Sequence, residues 1–204
     1  MILDVGCGMG LALGFLHQAG FSNLKGIDSD VGQVRLAQES HLPAIHVPDT
    51  VGYLKGKMAT ADTVLCLDVL EHIPKKIQID FLGAIFQALK PGGRLLLTVP
   101  NANSSLANRW RYNDWTHELS FTEHSLDFVL YHAGFRTITV SPAEFIQRPR
   151  FFFLPVAGSR HWWAFRFFRF LRRMEMMAEL GPDQGRQVPL SLNLLAVADK
   201  AVGG

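Results

Sequence analysis

The chain opens with Met1-Ile2-Leu3-Asp4-Val5-Gly6-Cys7-Gly8-Met9-Gly10, and this stretch decides the fold. Its apolar residues before the first glycine predict a buried strand of a parallel sheet. Glycine then occupies every second position. A strand that runs straight into such a loop lets a ligand lie almost against the backbone, because no Cβ intervenes. The N–H groups of the following helix would point at that ligand. The stretch therefore predicts a nucleoside-type cofactor at the carboxyl edge of an α/β sheet.

The spacing of the glycines indicates which cofactor binds. A dinucleotide fingerprint has the form Gly-x-Gly-x-x-Gly. Counted from Gly6 its last position falls on Leu11, and counted from Gly8 it falls on Leu13, so neither register fits. The chain instead places Asp4 before a Gly-x-Gly-x-Gly run. This spacing disfavours a nicotinamide-dependent oxidoreductase, which stays open as an alternative.

Further segments follow at the intervals of alternating strands and helices. The stretch 24–28 is apolar and ends at Asp28, where a carboxylate could accept hydrogen bonds from both ribose hydroxyls. The stretch 44–49 indicates a short strand with a carboxylate just past its end. Residues 63–73 join an apolar run to Leu-Glu-His, and residues 89–100 place Pro-Gly-Gly before another apolar run.

In this order and at this spacing, these segments resemble the class I S-adenosylmethionine-dependent methyltransferases. The resemblance covers roughly residues 1–141 and resumes near the C-terminus. It implies a Rossmann-like, doubly wound α/β sheet of seven strands. That sheet would be mostly parallel, with an antiparallel seventh strand between the fifth and the sixth. It also implies S-adenosyl-L-methionine as the cofactor.

The resemblance further implies a cofactor site at the ends of the first four strands. Asp4 would order the glycine loop or meet the methionyl amino group through water, Asp28 would bind the ribose, and Leu67 would face the methionyl part. For Asp49 a turn role is equally open, because Pro48-Asp49-Thr50 is also a turn signal. The expected cofactor-binding residues are Asp4, Gly6, Cys7, Gly8, Gly10, Asp28, Ser29, Asp49 and Leu67.

Two histidines are candidate catalytic residues. His117 lies in a polar, aromatic connection over residues 101–121, and its near-neutral titration suits a general base for a hydroxyl group. The Thr-His and Phe-Thr pairs of this segment resemble a methyltransferase subgroup of polysaccharide and secondary-metabolite pathways. His72, in Leu-Glu-His, is the second candidate. A structural role in fixing loops is the alternative for both. Asn101 either binds the acceptor or is a turn residue.

The local patterns predict where helices begin and end. Ser29 and Asp30 are candidate caps for a second helix, and Thr122 is a candidate cap for a helix over residues 123–133. Pro74 is expected to precede a fourth helix, which Pro91-Gly92-Gly93 would end and turn. The whole chain, 1–204, is expected to form one domain. The helix that family members usually carry before the first strand is expected to be missing, because this strand begins at residue 2.

Residues 142–187 form an insertion between strands six and seven, with two interpretations. It contains Phe151-Phe152-Phe153 and an aromatic and basic stretch over residues 162–173. Such a helix can lie in a membrane interface and would suit a lipid-linked acceptor. Alternatively, it is a lid whose aromatic side chains pack on the sheet or on a second subunit, with its arginines in solvent.

Composition narrows the possible functions and cellular locations of the protein. The 204 residues carry a net charge of +2 with 19% charged residues, so neither disorder nor generic binding of nucleic acid is expected. Cys7 and Cys66 provide neither metal-ligand spacing nor a disulfide framework, which favours a reducing compartment and no metal. No signal peptide or membrane-spanning stretch is evident, so a cytoplasmic protein is expected, with peripheral contact at the inner membrane face as a possibility.

The sequence therefore predicts a methyltransferase acting on a hydroxyl of a small-molecule, glycan or lipid-linked acceptor. The alternative in another class is a non-catalytic subunit that keeps the fold but has lost the activity. The oligomeric state is not predicted by any of these patterns.

Overall fold

The computed structural model describes residues 1–143 and 157–202, and these contain one seven-stranded sheet in the order β3-β2-β1-β4-β5-β7-β6. Strands β1 to β5 pair in parallel, whereas β7 is antiparallel to both of its neighbours. The predicted fold and the position of the seventh strand are confirmed. The strands are β1 Ile2–Val5, β2 Leu24–Asp28, β3 Ala44–His46, β4 Ala61–Leu67, β5 Leu89–Pro100, β6 Thr137–Ala143 and β7 Asn193–Asp199.

Helices connect the strands and cover both faces of the sheet. They are α1 Leu11–Gln18, α2 Val31–Glu39, α3 Thr50–Lys55, α4 Gln78–Ala88, α5 Ala107–Asn113, α6 Glu123–His132, α7 Ala157–Leu180 and α8 Pro182–Gln187. The larger apolar cluster joins Leu3 and Val5 of β1 to α4 and α6. The smaller cluster packs Leu13 of α1 and Val34 of α2 against the other face. Burial on both faces explains the continuous apolar runs of the central strands.

Two predicted helix caps are present. Asp30 accepts hydrogen bonds from the backbone N–H groups of Gly32 and Gln33, at 2.7 and 3.0 Å. Thr122 and Ser125 form a reciprocal capping box at the start of α6. Each cap satisfies N–H groups that have no partner within the helix. These caps explain why α2 and α6 begin where the sequence predicts.

Pro74 precedes α4 as predicted, but the predicted role of Pro91-Gly92-Gly93 at its end was wrong. The helix begins at Gln78 because Lys75–Ile77 first forms a tighter 3₁₀ turn after Pro74. At its other end the helix stops at Ala88, and Pro91-Gly92-Gly93 lies inside the 12-residue strand β5. The pairing of β4 with β5 shifts register here, so these residues form an irregularity in a strand instead of a turn.

The insertion contains the helix α7, followed by the short helix α8. The Arg173 guanidinium donates hydrogen bonds to the carbonyls of Gly185 and Val188, at 2.6 and 2.7 Å, and so ties the two helices together. Phe167, Phe168 and Phe170 are more than half exposed. These three side chains therefore do not pack on the sheet, and the alternatives of packing on a second subunit or lying in a membrane interface stay predictions. Phe151-Phe152-Phe153 lies outside the described residues.

Helices that could cross a membrane are absent from residues 1–143 and 157–202. The division of the chain into a single domain with an insertion stays a prediction.

Gly6 and Gly20 provide a matched test of the glycine loop. Both have a positive φ, +77° and +91°, but a Cβ on Gly6 would lie 2.4 Å from Val69 Cγ2, whereas nothing lies within 4 Å at Gly20. We expect Gly20→Ala to lower the free energy of unfolding by about 1 kcal/mol, the cost of the backbone conformation alone. Gly6→Ala should cost roughly 1–3 kcal/mol more, because Val69 is branched and cannot move away freely. Urea unfolding measures both, and equal losses would contradict the steric argument.

Candidate functional site

Hydrogen bonds fix the glycine loop against the end of β2. The N–H groups of Gly6 and Cys7 donate to the Ile27 carbonyl, at 2.8 and 3.1 Å. The Gly8 N–H donates to Asp28 Oδ2 at 2.8 Å. The loop thereby crosses the carboxyl edge of the sheet beside β2 with its shape set by backbone bonds. Gly10 then takes a left-handed conformation and begins α1.

Asp28 lies at the point where the loop, β2 and α2 meet. Its second oxygen, Oδ1, accepts a hydrogen bond from the Asp30 N–H at 2.8 Å. A carboxylate oxygen can accept more than one hydrogen bond, so both oxygens retain capacity for a ligand. The structure therefore holds the predicted ribose-binding carboxylate in one orientation at the sheet edge.

Negative charge accumulates beneath the loop. Asp4 is buried, and desolvation, followed by the charge of Asp28, raises its pKa to about 7. Burial and the same two carboxylates raise the pKa of Cys7 to about 12, so its thiol keeps its proton at neutral pH. The arrangement disfavours a further anion and favours a cation nearby. A positively charged ligand would relieve this repulsion.

Three other predicted cofactor residues lie at the same edge of the sheet. Leu67 is the last residue of β4, and Ser29 directly follows β2. Asp49 caps α3 by accepting a hydrogen bond from the Gly52 N–H at 2.9 Å. Both of the roles considered for Asp49 are therefore compatible with its position, and cofactor binding by these residues stays a prediction.

His72 and His117 come together in one cavity. Their ring centroids lie 4.6 Å apart in an edge-to-face arrangement. The cavity has a volume of about 570 Å³ and is lined by Asp68, Glu71, His72, Pro100, Trp110, Asn113, Asp114, His117, Leu192 and Asn193. The two candidate catalytic residues, far apart in the sequence, thus share one site.

The hydrogen bonds of the two imidazoles define their tautomers. His117 Nδ1 lies 2.9 Å from the Trp110 carbonyl, which can only accept, so Nδ1 carries the proton. His72 Nδ1 lies 2.8 Å from Thr116 Oγ1, whose own proton is donated to Asp114 at 2.6 Å. His72 Nδ1 is therefore also a donor. In the neutral form of each ring, Nε2 is then the nitrogen that carries the lone pair, and burial lowers the pKa of His72.

Sequence reasoning missed several residues of this cavity. Asp68 adopts a positive φ of 54° directly after β4 and accepts hydrogen bonds from Thr98 Oγ1 and Asn193 Nδ2, at 3.0 and 2.9 Å. The position of Asp68 directly after a strand could have identified it as a candidate site residue. Glu71 is also buried, and desolvation raises its pKa to about 8. Asn193 had no sequence signal, because only the antiparallel placement of β7 brings it here.

The Asn101 side chain is buried and hydrogen-bonded within the protein, so it is not available to a methyl acceptor. Its side-chain amide donates to the carbonyls of Pro189 and Ser191, at 2.9 and 2.8 Å. Its side-chain oxygen accepts from the Asn103 N–H at 2.9 Å, and the residue is 1% exposed. The expectation of acceptor binding is therefore corrected. Asn101 joins the end of β5 to the segment before β7.

Comparison with known proteins identifies relatives. Residues 1–140 match a family described as a methyltransferase domain. A ubiquinone biosynthesis O-methyltransferase from Pseudomonas aeruginosa is 31% identical over 107 residues, covering 50% of this chain and 45% of that protein. A tRNA U34 carboxymethyltransferase from Azotobacter vinelandii is 38% identical over 101 residues, covering 47% and 31%. The chain thus spans less than half the length of these relatives.

A solved structure agrees with the sheet topology. A SAM-dependent methyltransferase from Archaeoglobus fulgidus superimposes with a TM-score of 0.69 at 20% identity, covering 98% of this chain and 85% of that one. At this low sequence identity, the structural similarity supports the assignment of the fold alone.

Asp4 should make the stability of the empty protein depend on pH. An unfolded Asp ionises near pH 4, whereas buried Asp4 keeps its proton up to about pH 7. Between these values the unfolded state binds fewer protons, so stability falls as pH rises, by roughly 4 kcal/mol in total. Glu71, whose pKa is raised to about 8, adds a slope of the same sign, so Asp4→Asn should roughly halve the slope, which urea unfolding at a series of pH values measures.

Asp62 is the control, because its hydrogen bond with Lys90 lowers its pKa to about 2 instead. Asp62→Asn should shift the stability curve between pH 5 and 8 without changing its slope. A slope that is as steep in Asp4→Asn as in the unsubstituted protein would contradict the assignment.

Proposed function

The chain belongs to the S-adenosylmethionine-dependent methyltransferases, the family matched by residues 1–140, and on that premise we propose that it methylates a hydroxyl oxygen. The cofactor of the family is S-adenosyl-L-methionine. The acceptor would be a small-molecule, glycan or lipid-linked compound. The observation that carries the proposal is the pair of imidazoles in one cavity at the sheet edge that holds the glycine loop.

The cofactor would bind along this edge with its ribose on Asp28. The backbone of Gly6, Cys7, Gly8 and Gly10 would approach it closely, since the glycines carry no side chain. Ser29 and Asp49 would lie towards the nucleoside and Leu67 towards the methionyl part. The carboxylates of Asp4 and Asp28 would favour the cationic sulfonium. Asp4 supports the loop from beneath, buried behind it.

Methyl transfer from a sulfonium mainly requires that the acceptor oxygen be held in line with the methyl group. A hydroxyl acceptor must also lose its proton. Because Nδ1 of His117 and of His72 faces a protein oxygen, Nε2 of the neutral ring would be free to accept the proton, so either ring could act as the general base. As the C–O bond forms, the S–C electron pair stays on sulfur, and S-adenosylhomocysteine leaves.

The walls of the site suit an acceptor with a polar end and an apolar tail. A second cavity, of about 520 Å³, is lined by Leu106, Phe165, Phe168, Leu190 and Leu192, with Arg169 and Arg172 beside them. Leu192 also lines the histidine cavity, so the two are adjacent. An acceptor could place its hydroxyl near the histidines and its tail against α7. The Pseudomonas relative is named an O-methyltransferase, which agrees with oxygen as the methylated atom.

We also infer peripheral contact with a membrane through residues 162–173. Phe167, Phe170 and Met174 recur at helical spacing along α7, and they are 58, 58 and 47% exposed. Arg166 is exposed next to them. An apolar stripe with neighbouring basic residues is typical of helices that lie in a lipid interface. A lipid-linked acceptor would then reach the second cavity from the bilayer surface.

Nucleic acid remains the competing acceptor class. The Azotobacter relative is named for a tRNA, so the expectation that no nucleic acid binds stays a prediction. The net charge of +2 argues against strong non-specific binding. A methyl-transfer assay with tRNA beside phenolic and glycan acceptors would separate the classes, and transfer to tRNA alone would overturn the proposed acceptor.

Asp28→Ala should weaken binding of S-adenosylmethionine at least about 10-fold, because each charge-assisted hydrogen bond to the ribose contributes about 1.5–3 kcal/mol. Isothermal titration calorimetry with S-adenosylmethionine and S-adenosylhomocysteine measures this loss. Asp30→Asn is the matched control, since Asn caps helices as well as Asp and should leave the affinity unchanged. Failure of the unsubstituted protein to bind either compound would instead favour the non-catalytic subunit.

Phe167→Ser should reduce the fraction of protein that floats with anionic liposomes. Removing one aromatic ring that is buried in the lipid interface costs about 1.5–3 kcal/mol, which lowers partitioning by at least about 10-fold. Phe128→Ser on α6 is the control, because Phe128 is 57% exposed but lies outside the stripe. Flotation that is absent from the start, or equally reduced by both substitutions, would contradict membrane contact through α7.

A further inference from the structure

We propose that Glu71, His72 and His117 form a binding site for a divalent transition-metal cation that opens into the histidine cavity. One potential ligand atom from each residue lies within 4.8 Å of those from the other two. All three residues line the same cavity. Two imidazoles and one carboxylate are the ligands of many zinc sites that keep a coordination position open for a substrate. The same set also binds neighbouring first-row cations.

The two imidazoles are already arranged as metal ligands. Each donates its Nδ1 proton to a protein oxygen, His72 to Thr116 and His117 to the Trp110 carbonyl. Histidines that bind metals show this same pattern, in which the outer hydrogen bond fixes the ring and the tautomer. The Asp114 carboxylate completes one chain of bonds by accepting from Thr116. Neither Nε2 atom has a hydrogen bond among the described residues.

Glu71 supplies an independent indication of a missing partner. The residue is 1% exposed, and its Oε2 is buried with no hydrogen-bond partner in residues 1–143 and 157–202. An unsatisfied buried carboxyl oxygen is costly, so native structures rarely keep one without a ligand, ion or water. A cation between this oxygen and the two rings would satisfy it.

The backbone holds the three ligands together from two separate loops. Glu71 and His72 lie in the 3₁₀ turn Leu70–His72 after β4, whereas His117 follows α5. The Glu118 N–H donates to the Glu71 carbonyl at 2.7 Å and joins the loops next to the ligands. A tetrahedral zinc site needs ligand atoms about 3.4 Å apart, so modest ring rotations would complete it.

The surrounding charges suit a cation. Asp68 and Asp114 line the same cavity as the ligands, and every ionisable group of that lining other than the two histidines is a carboxyl group. The two histidines are the groups of that lining that could become positive, and metal binding through Nε2 would keep them neutral. The lining therefore carries carboxyl groups and no lysine or arginine that would oppose a cation.

This inference rests on the proposed function for its chemical meaning. With a cation bound, the Nε2 atoms would be ligands instead of proton acceptors, and the acceptor oxygen would take an open coordination position. The cation would lower the pKa of the hydroxyl, whose proton would pass to solvent water. The oxygen would then form the new bond to the methyl carbon, and the S–C electron pair would remain on sulfur.

The test is direct metal binding by the chelator-treated full chain. Zn²⁺ is titrated in competition with a chromophoric chelator, and Co²⁺ is followed by its visible absorption. We expect one Zn²⁺ per chain, a Co²⁺ spectrum of low-symmetry nitrogen and oxygen ligation, and no displacement by millimolar Mg²⁺, which prefers oxygen ligands. Glu71→Gln, His72→Asn and His117→Asn should each weaken Zn²⁺ binding at least about 10-fold.

His124→Asn is the matched control, because the His124 side chain is 92% exposed on α6 and should not affect binding. Affinity for S-adenosylmethionine is measured in every variant and reports that the fold is intact. Absence of stoichiometric Zn²⁺ binding, or binding that survives all three substitutions, would overturn the metal site while leaving the proposed function standing. Zn²⁺ binding without binding of S-adenosylmethionine would overturn the proposed function instead.

Discussion

The site depends on the hydrogen bond between the Gly8 amide and the Asp28 carboxylate. This bond closes the glycine loop over the carboxyl edge of the sheet, and it orients the carboxylate that we propose binds a ribose. The two bonds to the Ile27 carbonyl hold the same loop from its other side. Since Gly6 has a positive φ and lies close to Val69, a larger residue could not follow this path. The path of the glycine loop, along which a ligand would contact the backbone, is thus fixed by bonds within the protein.

Charge is the second constraint, and it differs between the two halves of the site. Beneath the loop, burial and the charge of Asp28 raise the pKa of Asp4 to about 7, so the two carboxyl groups are not both fully ionised at neutral pH. In the histidine cavity, burial raises the pKa of Glu71 to about 8, and its Oε2 has no hydrogen-bond partner among the described residues. A cationic ligand in either half would favour the ionised carboxylates. Perturbed carboxyl groups of this kind are concentrated at functional sites.

The strand-end positions and the two histidines could be predicted from the sequence, whereas the residues that surround the histidines in their cavity could not. Strand ends carry their side chains to one sheet edge, so Asp28 and Leu67 could be placed from local patterns alone. The helix caps Asp30 and Thr122 could be predicted from local sequence patterns in the same way. Asn193 and the exposed face of α7 depend on long-range packing that leaves no local pattern. The Pro91-Gly92-Gly93 segment was misjudged because its partner strand, β4, accommodates the irregularity.

The antiparallel strand β7 has a consequence for how the protein matures. It lies between β5 and β6, and its first residue, Asn193, supports Asp68 from a distant part of the sequence. A polypeptide emerging from the ribosome could form β1 to β5 early, but β6 would have no neighbour in the sheet until β7 had been made. Until then β5 would expose an unpaired edge that invites misassociation. The histidine cavity, which Asn193 lines, is therefore completed late, after β1 to β5 and the glycine loop have formed.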